Sequence, residues 1–180
     1  MSARAKALDI REIIADYPDF PKEGILFRDI NPLFRNHDAL TFITESLYQR
    51  YSKVRIDAVA GIESRGFVIA TALALKFGKG MIMIRKAGKL PGDVAKRSYE
   101  IEYGSAIMEI QRGAVSKGQN ILIADDLIAT GGTAVAASQL VEELGGKVAG
   151  FAFVIELASL AGAEKLKKLG YMVHSLVTYD

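Results

Sequence analysis

The sequence predicts an α/β fold in which a central, mostly parallel sheet is flanked by helices. Short apolar runs rich in β-branched residues recur from about residue 57 onward, which is typical of strands buried on both faces. Longer segments with helical periodicity separate these runs. Strands and helices therefore alternate along the chain, the order expected of parallel strands joined by crossover helices.

Four apolar runs are predicted strands, and two of the intervening segments are predicted crossover helices. The strands are expected at Asp57–Ile62, Gly80–Ile84, Asn120–Ala124 and Val148–Ile155, and the helices at Gly66–Phe77 and Thr133–Leu144. Two parts fall outside this alternation: a turn-rich N-terminal segment and a polar stretch, Arg85–Tyr103, which glycine and proline interrupt. A structureless loop of that length is uncommon in a compact domain and is often functional.

Length and composition predict one domain over residues 1–180 that is soluble and cytoplasmic. No apolar run approaches the roughly 20 residues that cross a bilayer, and the N-terminus lacks a secretory signal. The absence of cysteine fits a reducing compartment. With 23 basic and 21 acidic residues the net charge is +2, which gives no reason to expect binding to nucleic acid or to membranes.

The segment Ile121–Ala137 joins an apolar run, two acids, a short loop and the start of a helix. Asp125 and Asp126 follow the predicted strand, at the edge where parallel sheets bind ligands. The loop consists of Ala129, Thr130, Gly131, Gly132 and Thr133. Its N–H groups at a helix N-terminus favour phosphate, and the carboxylates can accept hydrogen bonds from adjacent hydroxyls. The pattern therefore predicts a ribose 5-phosphate site.

Other interpretations of this segment are less specific. The acids could only cap the turn, and the glycines could only make it tight. A nucleotide-triphosphate P-loop is excluded because no lysine follows the glycines, and the dinucleotide-binding pattern G-x-G-x-x-G is absent.

A second anion site is predicted where the strand ending at Ile62 is followed by Glu63, Ser64, Arg65 and Gly66. The amides of this turn and the Arg65 guanidinium can bind an anion, although Arg65 could instead pair with a structural carboxylate. Two anion sites imply a ligand with two charged ends. Arg85, Lys86 and Lys89 form a cationic cluster that, taken alone, would be a solvated face.

IADDLIATGGT resembles the phosphoribosyl pyrophosphate motif of the type I phosphoribosyltransferase family. FPKEGILFRDINPL, AGIESRGF, IRKAGKLPG and EIEYG are similar to segments of the adenine phosphoribosyltransferases, and together they cover almost the whole chain in order. The resemblance implies the type I phosphoribosyltransferase fold, with a small base-binding hood from residues 1–35 and a flexible lid loop over residues 86–103.

The resemblance also implies roles for individual residues. The pyrophosphate-binding set is Glu63, Ser64, Arg65, Gly66, Arg85 and Lys89, with a non-proline cis peptide between Glu63 and Ser64. Arg85 would act across the interface of a homodimer. The adenine-binding set is Leu26, Phe27, Arg28 and Leu160, although core packing is the ordinary use of such apolar residues. Glu102 and Tyr103 would join Arg65 and Lys89 as catalytic residues, although Glu102 could also be a surface acid.

The implied reaction transfers a phosphoribosyl group from phosphoribosyl pyrophosphate to N9 of adenine and gives AMP and pyrophosphate. Mg²⁺ is expected to be held mainly by the substrate, because the sequence contains no Walker-type metal site and neither histidine has ligand-like spacing. Two alternatives remain open. One is a phosphoribosyltransferase for another base, such as xanthine, hypoxanthine or orotate, and the other is a non-catalytic regulator that senses phosphoribosyl pyrophosphate.

Overall fold

The computed structural model describes residues 8–101 and 104–180. Within them the chain divides into two compact units, with the boundary between Glu45 and Ser46. A single domain over residues 1–180 stays a prediction.

The first unit contains a small antiparallel sheet and helical segments. β1 is Ala15–Pro18, β2 is Leu26–Asp29, α1 is Asn31–Arg35, and α2, which continues beyond the unit boundary, is His37–Tyr51. The turn between β1 and β2 contains Gly24 at φ 82°, a conformation that other residues rarely adopt. The Gly24 N–H donates to Asp19 Oδ1 at 2.8 Å, so the hairpin closes through its own residues.

The second unit is built on a seven-stranded sheet within the described residues, with strand order β5-β6-β4-β3-β7-β8-β9. The strands are β3 (Ala58–Ile62), β4 (Gly80–Lys86), β5 (Val94–Ile101), β6 (Gly104–Gln111), β7 (Asn120–Ile128), β8 (Lys147–Leu157) and β9 (Val173–Tyr179). Strands β4, β3, β7, β8 and β9 are parallel, whereas β5 and β6 pair antiparallel at one edge. The helices are α3 (Gly66–Phe77), α4 (Gly132–Glu143) and α5 (Gly162–Lys168). In the part of the chain that the structure describes, no helix is long and apolar enough to span a membrane.

The central strands are covered on both faces, as their apolar composition predicts. Ala60 and Ile62 of β3 belong to the same buried cluster as Leu140 of α4. Gly61 lies on the opposite face of the sheet from Ala60 and Ile62, because successive residues of a strand face opposite sides. A Cβ built on Gly61 would lie 2.8 Å from the Cβ of Ala70 in α3. Helices α3 and α4 therefore lie on opposite faces of the sheet, and Gly61 lets α3 approach closely.

The predicted helix Gly66–Phe77 is confirmed, but the predicted end of β7 is wrong. Strand β7 continues to Ile128, so Asp125 and Asp126 lie inside it rather than after it. The physical reason is that β7 has neighbours of different length. Pairing with β3 ends at Ala124, whereas pairing with β8 continues.

The expectation of a structureless loop over Arg85–Tyr103 is also wrong for most of its length. Residues Val94–Ile101 form β5, which pairs with the whole of β6. Ala95 and Met108 of this hairpin are buried in the core of the sheet, and this burial stabilises a strand whose other side chains are mostly polar. Among the described residues of this stretch, the irregular part is residues 87–93, here called the β4–β5 loop.

Candidate active site

The predicted phosphate cradle forms a cavity of about 180 Å³ between β7 and α4, lined by Asp125, by residues 127–134 and by Phe153. Gly131 has φ 79° and is the N-cap of helix α4, which begins at Gly132. The first helical hydrogen bond runs from the Val135 N–H to the Gly131 carbonyl at 2.9 Å. The N–H groups of the preceding turn have no partner within the helix, so the cavity lies at an end of α4 that attracts anions.

The two acids, Asp125 and Asp126, are adjacent in β7 and contact each other. Asp126 is 7% exposed, and its N–H donates to Asp125 Oδ1 at 2.9 Å. Burial raises the pKa of Asp125 well above its ordinary value, and the neighbouring Asp126 carboxylate raises it further. A Cβ on Gly66 would lie 2.7 Å from Asp125 Oδ1 and 2.9 Å from the Ala124 carbonyl oxygen, so only glycine lets the start of α3 approach strand β7 this closely.

Arg65 joins the second anion loop to the acids. Its Nε lies 2.7 Å from Asp126 Oδ2, and its side chain is 32% exposed. The alternative that Arg65 pairs with a carboxylate is therefore realised, and the carboxylate is one of the predicted site acids. Because the guanidinium is partly exposed and has several donors, this ion pair also fixes where Arg65 presents positive charge.

Glu63 forms ion pairs with Arg85 and Lys89, the cations that were predicted to bind pyrophosphate. The peptide bond between Glu63 and Ser64 is cis, as predicted. The Glu63 carboxylate contacts Lys89 Nζ, lies 3.3 Å from Arg85 Nε and accepts from the Lys86 N–H at 3.0 Å. Burial raises the pKa of Glu63, but the bond from Lys89, the Lys86 N–H and the charge of Arg85 outweigh burial and lower it. Glu63 is thus an anion that orients cations.

The β4–β5 loop is part of the lid that was predicted over residues 86–103, and hydrogen bonds hold it to strand β6. Gly88 donates its N–H to Glu109 Oε2 at 2.9 Å, and the Ala87 N–H donates to the Ile107 carbonyl at 2.9 Å. Glu109 is 1% exposed and forms an ion pair with Lys96 Nζ at 2.8 Å. Sequence reasoning missed Glu109, whose only signal is an acid between the apolar residues Met108 and Ile110. Glu102 and Tyr103 lie outside the described residues.

The predicted adenine-binding residues are on two elements. Leu26, Phe27 and Arg28 lie on β2 of the first unit, where Arg28 forms an ion pair with Asp16. Leu160 ends a 3₁₀ helix that follows β8 and is 46% exposed. The roles of these residues in base recognition stay predictions.

Among the described residues, no group of three or more His, Cys, Asp and Glu side chains is arranged to hold a metal ion. Asp126, one of the acids beside the cradle, already pairs with Arg65. A magnesium ion carried by the substrate therefore stays a prediction.

Comparison with known proteins gives concordant matches. The family model described as "Phosphoribosyl transferase domain" matches residues 30–179. The adenine phosphoribosyltransferase of Cenarchaeum symbiosum is 53% identical over 172 residues, which are 96% of this chain and 100% of the relative. The crystal structure of the enzyme of that name from Thermoanaerobacter pseudethanolicus has a TM-score of 0.91 and 42% identity, covering 94% of this chain and 98% of its own. That from Saccharomyces cerevisiae, complexed with adenine and an iminoaltritol bisphosphate, has a TM-score of 0.86 and 44% identity, covering 93% and 96%.

Proposed function

The chain belongs to the adenine phosphoribosyltransferase family, and we infer from this and from its site that it transfers the 5-phosphoribosyl group of phosphoribosyl pyrophosphate to N9 of adenine. The products are AMP and pyrophosphate. The observation that carries the proposal is the ion pair between Arg65 and Asp126. It links the loop at the start of α3 to strand β7, which leads directly into the loop at the start of α4.

The ribose 5-phosphate end of the substrate fits the cavity at α4. The N–H groups of residues 129–133 bind the 5′-phosphate at the positive end of the helix. Asp125 and Asp126 accept hydrogen bonds from the ribose hydroxyls. Burial and the neighbouring Asp126 carboxylate raise the pKa of Asp125, and the Arg65 guanidinium offsets the charge of Asp126.

The pyrophosphate end fits the loop at α3. Ser64 and Gly66 supply N–H groups at the start of α3, and Arg65 supplies charged donors. Arg85 and Lys89 form ion pairs with Glu63, which belongs to the same loop. When the magnesium complex of the substrate binds, its pyrophosphate replaces Glu63 as the partner of Lys89, and the same cations stabilise the charge that grows on the leaving group.

The reaction forms a bond between N9 and the anomeric carbon while the bond from that carbon to the pyrophosphate oxygen breaks. Positive charge grows on the ribose ring, close to Asp125 and Asp126. The N9 proton leaves the base, and Glu102, with Tyr103 beside it, is proposed to receive it. Binding, orientation and electrostatics supply most of the catalysis, since the reacting centre needs no covalent intermediate with the protein.

Leu26, Phe27, Arg28 and Leu160 are each proposed to take part in adenine recognition. Apolar side chains suit the flat faces of a purine. Backbone groups of Leu26 and Arg28 are proposed to recognise the amino edge. A 6-oxo purine needs a donor where adenine needs an acceptor, so competition between bases tests this assignment.

We further propose that the enzyme works as a homodimer in the cytoplasm. Val68 and Leu75 on α3 and Met83 on β4 are 39%, 77% and 48% exposed. Helix α3 packs beside β4, so these apolar side chains can form one surface, which a second copy of the chain would cover.

The test is incubation of the protein with phosphoribosyl pyrophosphate, Mg²⁺ and each free base in turn, while pyrophosphate release is followed. Release with adenine, and much slower release with hypoxanthine, xanthine or orotate, is expected. Preference for another base would overturn the adenine assignment. Absence of turnover with every base, together with binding of phosphoribosyl pyrophosphate, would favour a regulator.

The ribose-binding role of the acids is tested by the double substitution Asp125→Asn/Asp126→Asn. Catalytic efficiency is expected to fall roughly 100-fold or more, because charge and hydrogen bonds beside the reacting carbon are lost. The matched control is Asp38→Asn/Asp180→Asn, which changes two exposed acids and should leave activity unchanged. Equal activity of both double variants would refute the assignment.

A further inference from the structure

The loop of residues 129–133, here called the phosphate loop, packs against the backbone of a turn that is distant in the sequence. Residues 158–160 form the 3₁₀ helix that ends in Leu160, and α5 begins at Gly162. A Cβ built on Gly162 would lie 2.1 Å from the Ala129 carbonyl oxygen and 2.7 Å from the Gly131 nitrogen. Conversely, a Cβ on Gly131 would lie 3.1 Å from Gly162 Cα. The two glycines therefore pack backbone against backbone.

The turn cannot easily move away from the loop. Ala161 has φ 54°, so the residue before Gly162 is already in the left-handed region, which costs free energy for a residue other than glycine. Ala163 and Leu166 of α5 are 2% and 0% exposed and fasten the helix into the core. Thr130, by contrast, is exposed. A side chain at position 162 would therefore displace the phosphate loop rather than the turn.

We propose that Gly162 is a positioning residue for the phosphate loop: its lack of a side chain lets the turn after Leu160 support Ala129 and Gly131 from behind and fix their N–H groups on the 5′-phosphate. This rests on the proposed function, in which residues 129–133 bind that phosphate. Because Gly162 is only two residues from Leu160, the support also ties the phosphate loop to the segment proposed to contact adenine.

Gly162→Ala tests the proposal with ribose 5-phosphate as the probe in calorimetry. The added methyl group should weaken binding roughly 10- to 100-fold, since small displacements of binding groups have effects of this size. In turnover assays the KM for phosphoribosyl pyrophosphate should rise more than the KM for adenine. The matched control is Gly113→Ala, where a Cβ meets nothing within 4 Å and binding should be unchanged. Equal binding by both variants would overturn the proposal.

Hydrogen exchange of the wild-type protein gives a second measurement that does not depend on the folding of a variant. Ribose 5-phosphate should slow exchange in residues 129–133 and also in residues 158–163, which support the loop without being in the phosphate site. Slowing confined to residues 129–133 would contradict the support. A wild-type protein that binds neither ribose 5-phosphate nor phosphoribosyl pyrophosphate would refute the proposed function itself.

Discussion

At the scale of single residues, cations and carboxylates of the candidate site form ion pairs with each other. Arg65 faces Asp126, and Glu63 faces Lys89 and Arg85. A buried charge without a partner is costly, so these pairs compensate the carboxylates and orient the cations until the substrate arrives. Binding is then an exchange of partners, in which the pyrophosphate replaces a carboxylate, and the side chains need little reorganisation.

Asp57 holds the first residues of β3 and β7 together, and its effect on stability should depend on pH. Its Oδ2 accepts from the Asn120 N–H and from Asn120 Nδ2, both at 2.9 Å. These bonds lower the pKa of Asp57 from 3.8 to about 2, with a smaller contribution from Arg55. Since the folded pKa is the lower one, the stabilisation is present above pH 3.8 and is lost as the pH falls through about 2.

The prediction is that Asp57→Asn lowers the free energy of unfolding at neutral pH, and that the difference from wild type shrinks as the pH is lowered from about 4 to about 2. Urea unfolding at a series of pH values measures this. Asp38→Asn, a change at an exposed acid, is the control. A difference between Asp57→Asn and wild type that stays constant over this range would show that Asp57 contributes no linked protonation.

At the scale of elements, the β4–β5 loop is positioned by strand β6. Glu109→Ala removes the acceptor of the Gly88 N–H one residue from Lys89. We expect faster hydrogen exchange in residues 87–93 and a KM for phosphoribosyl pyrophosphate raised roughly three- to tenfold, because an oriented, charge-assisted bond is lost. The adenine KM should change little.

Glu143→Ala is the matched control for this change. Glu143 forms ion pairs with Arg97 and Arg112, which lie in or next to the β5–β6 hairpin. It reaches the β4–β5 loop only through Arg112, which pairs with Asp93. If both variants raise the KM for phosphoribosyl pyrophosphate equally, general weakening of the hairpin explains the effect, and Glu109 has no specific role in positioning the β4–β5 loop. If exchange in residues 87–93 is unchanged in Glu109→Ala, the fastening is refuted.

The elements that sequence reasoning found and missed differ in where their stability comes from. Gly66–Phe77 and the core strand at Ala58–Ile62 bury their own side chains, so composition reveals them. Strand β5 is a polar edge strand that depends on pairing with β6, and a strand stabilised by pairing rather than by its own apolar side chains leaves little signal in the sequence. The same limit applies within the site. The motifs predicted both anion loops, but the pair Arg65–Asp126 joins distant parts of the chain and could be found only from the fold.

At the scale of the whole molecule, assembly and catalysis are expected to depend on each other. Val68, on the proposed apolar surface, follows Phe67 in helix α3, and the Arg85 guanidinium lies 5.9 Å from the centre of the Phe67 ring. A partner that covers this surface would therefore restrain the pyrophosphate loop and Arg85. This gives a physical reason why a dimer would be more active than a monomer.

The prediction is that Leu75→Glu dissociates the dimer, because a charge in an apolar interface loses hydration without gaining a partner. Sedimentation should show the wild type at twice the 19.5 kDa of one chain and the variant at the mass of one chain. Leu169→Glu, at another exposed leucine with 55% exposure, is the control and should remain dimeric. Catalytic efficiency of the Leu75→Glu monomer should fall roughly tenfold as Arg85 loses its restraint. A wild-type monomer with full activity, or a Leu75→Glu monomer as active as the wild-type dimer, would refute the dependence of catalysis on assembly.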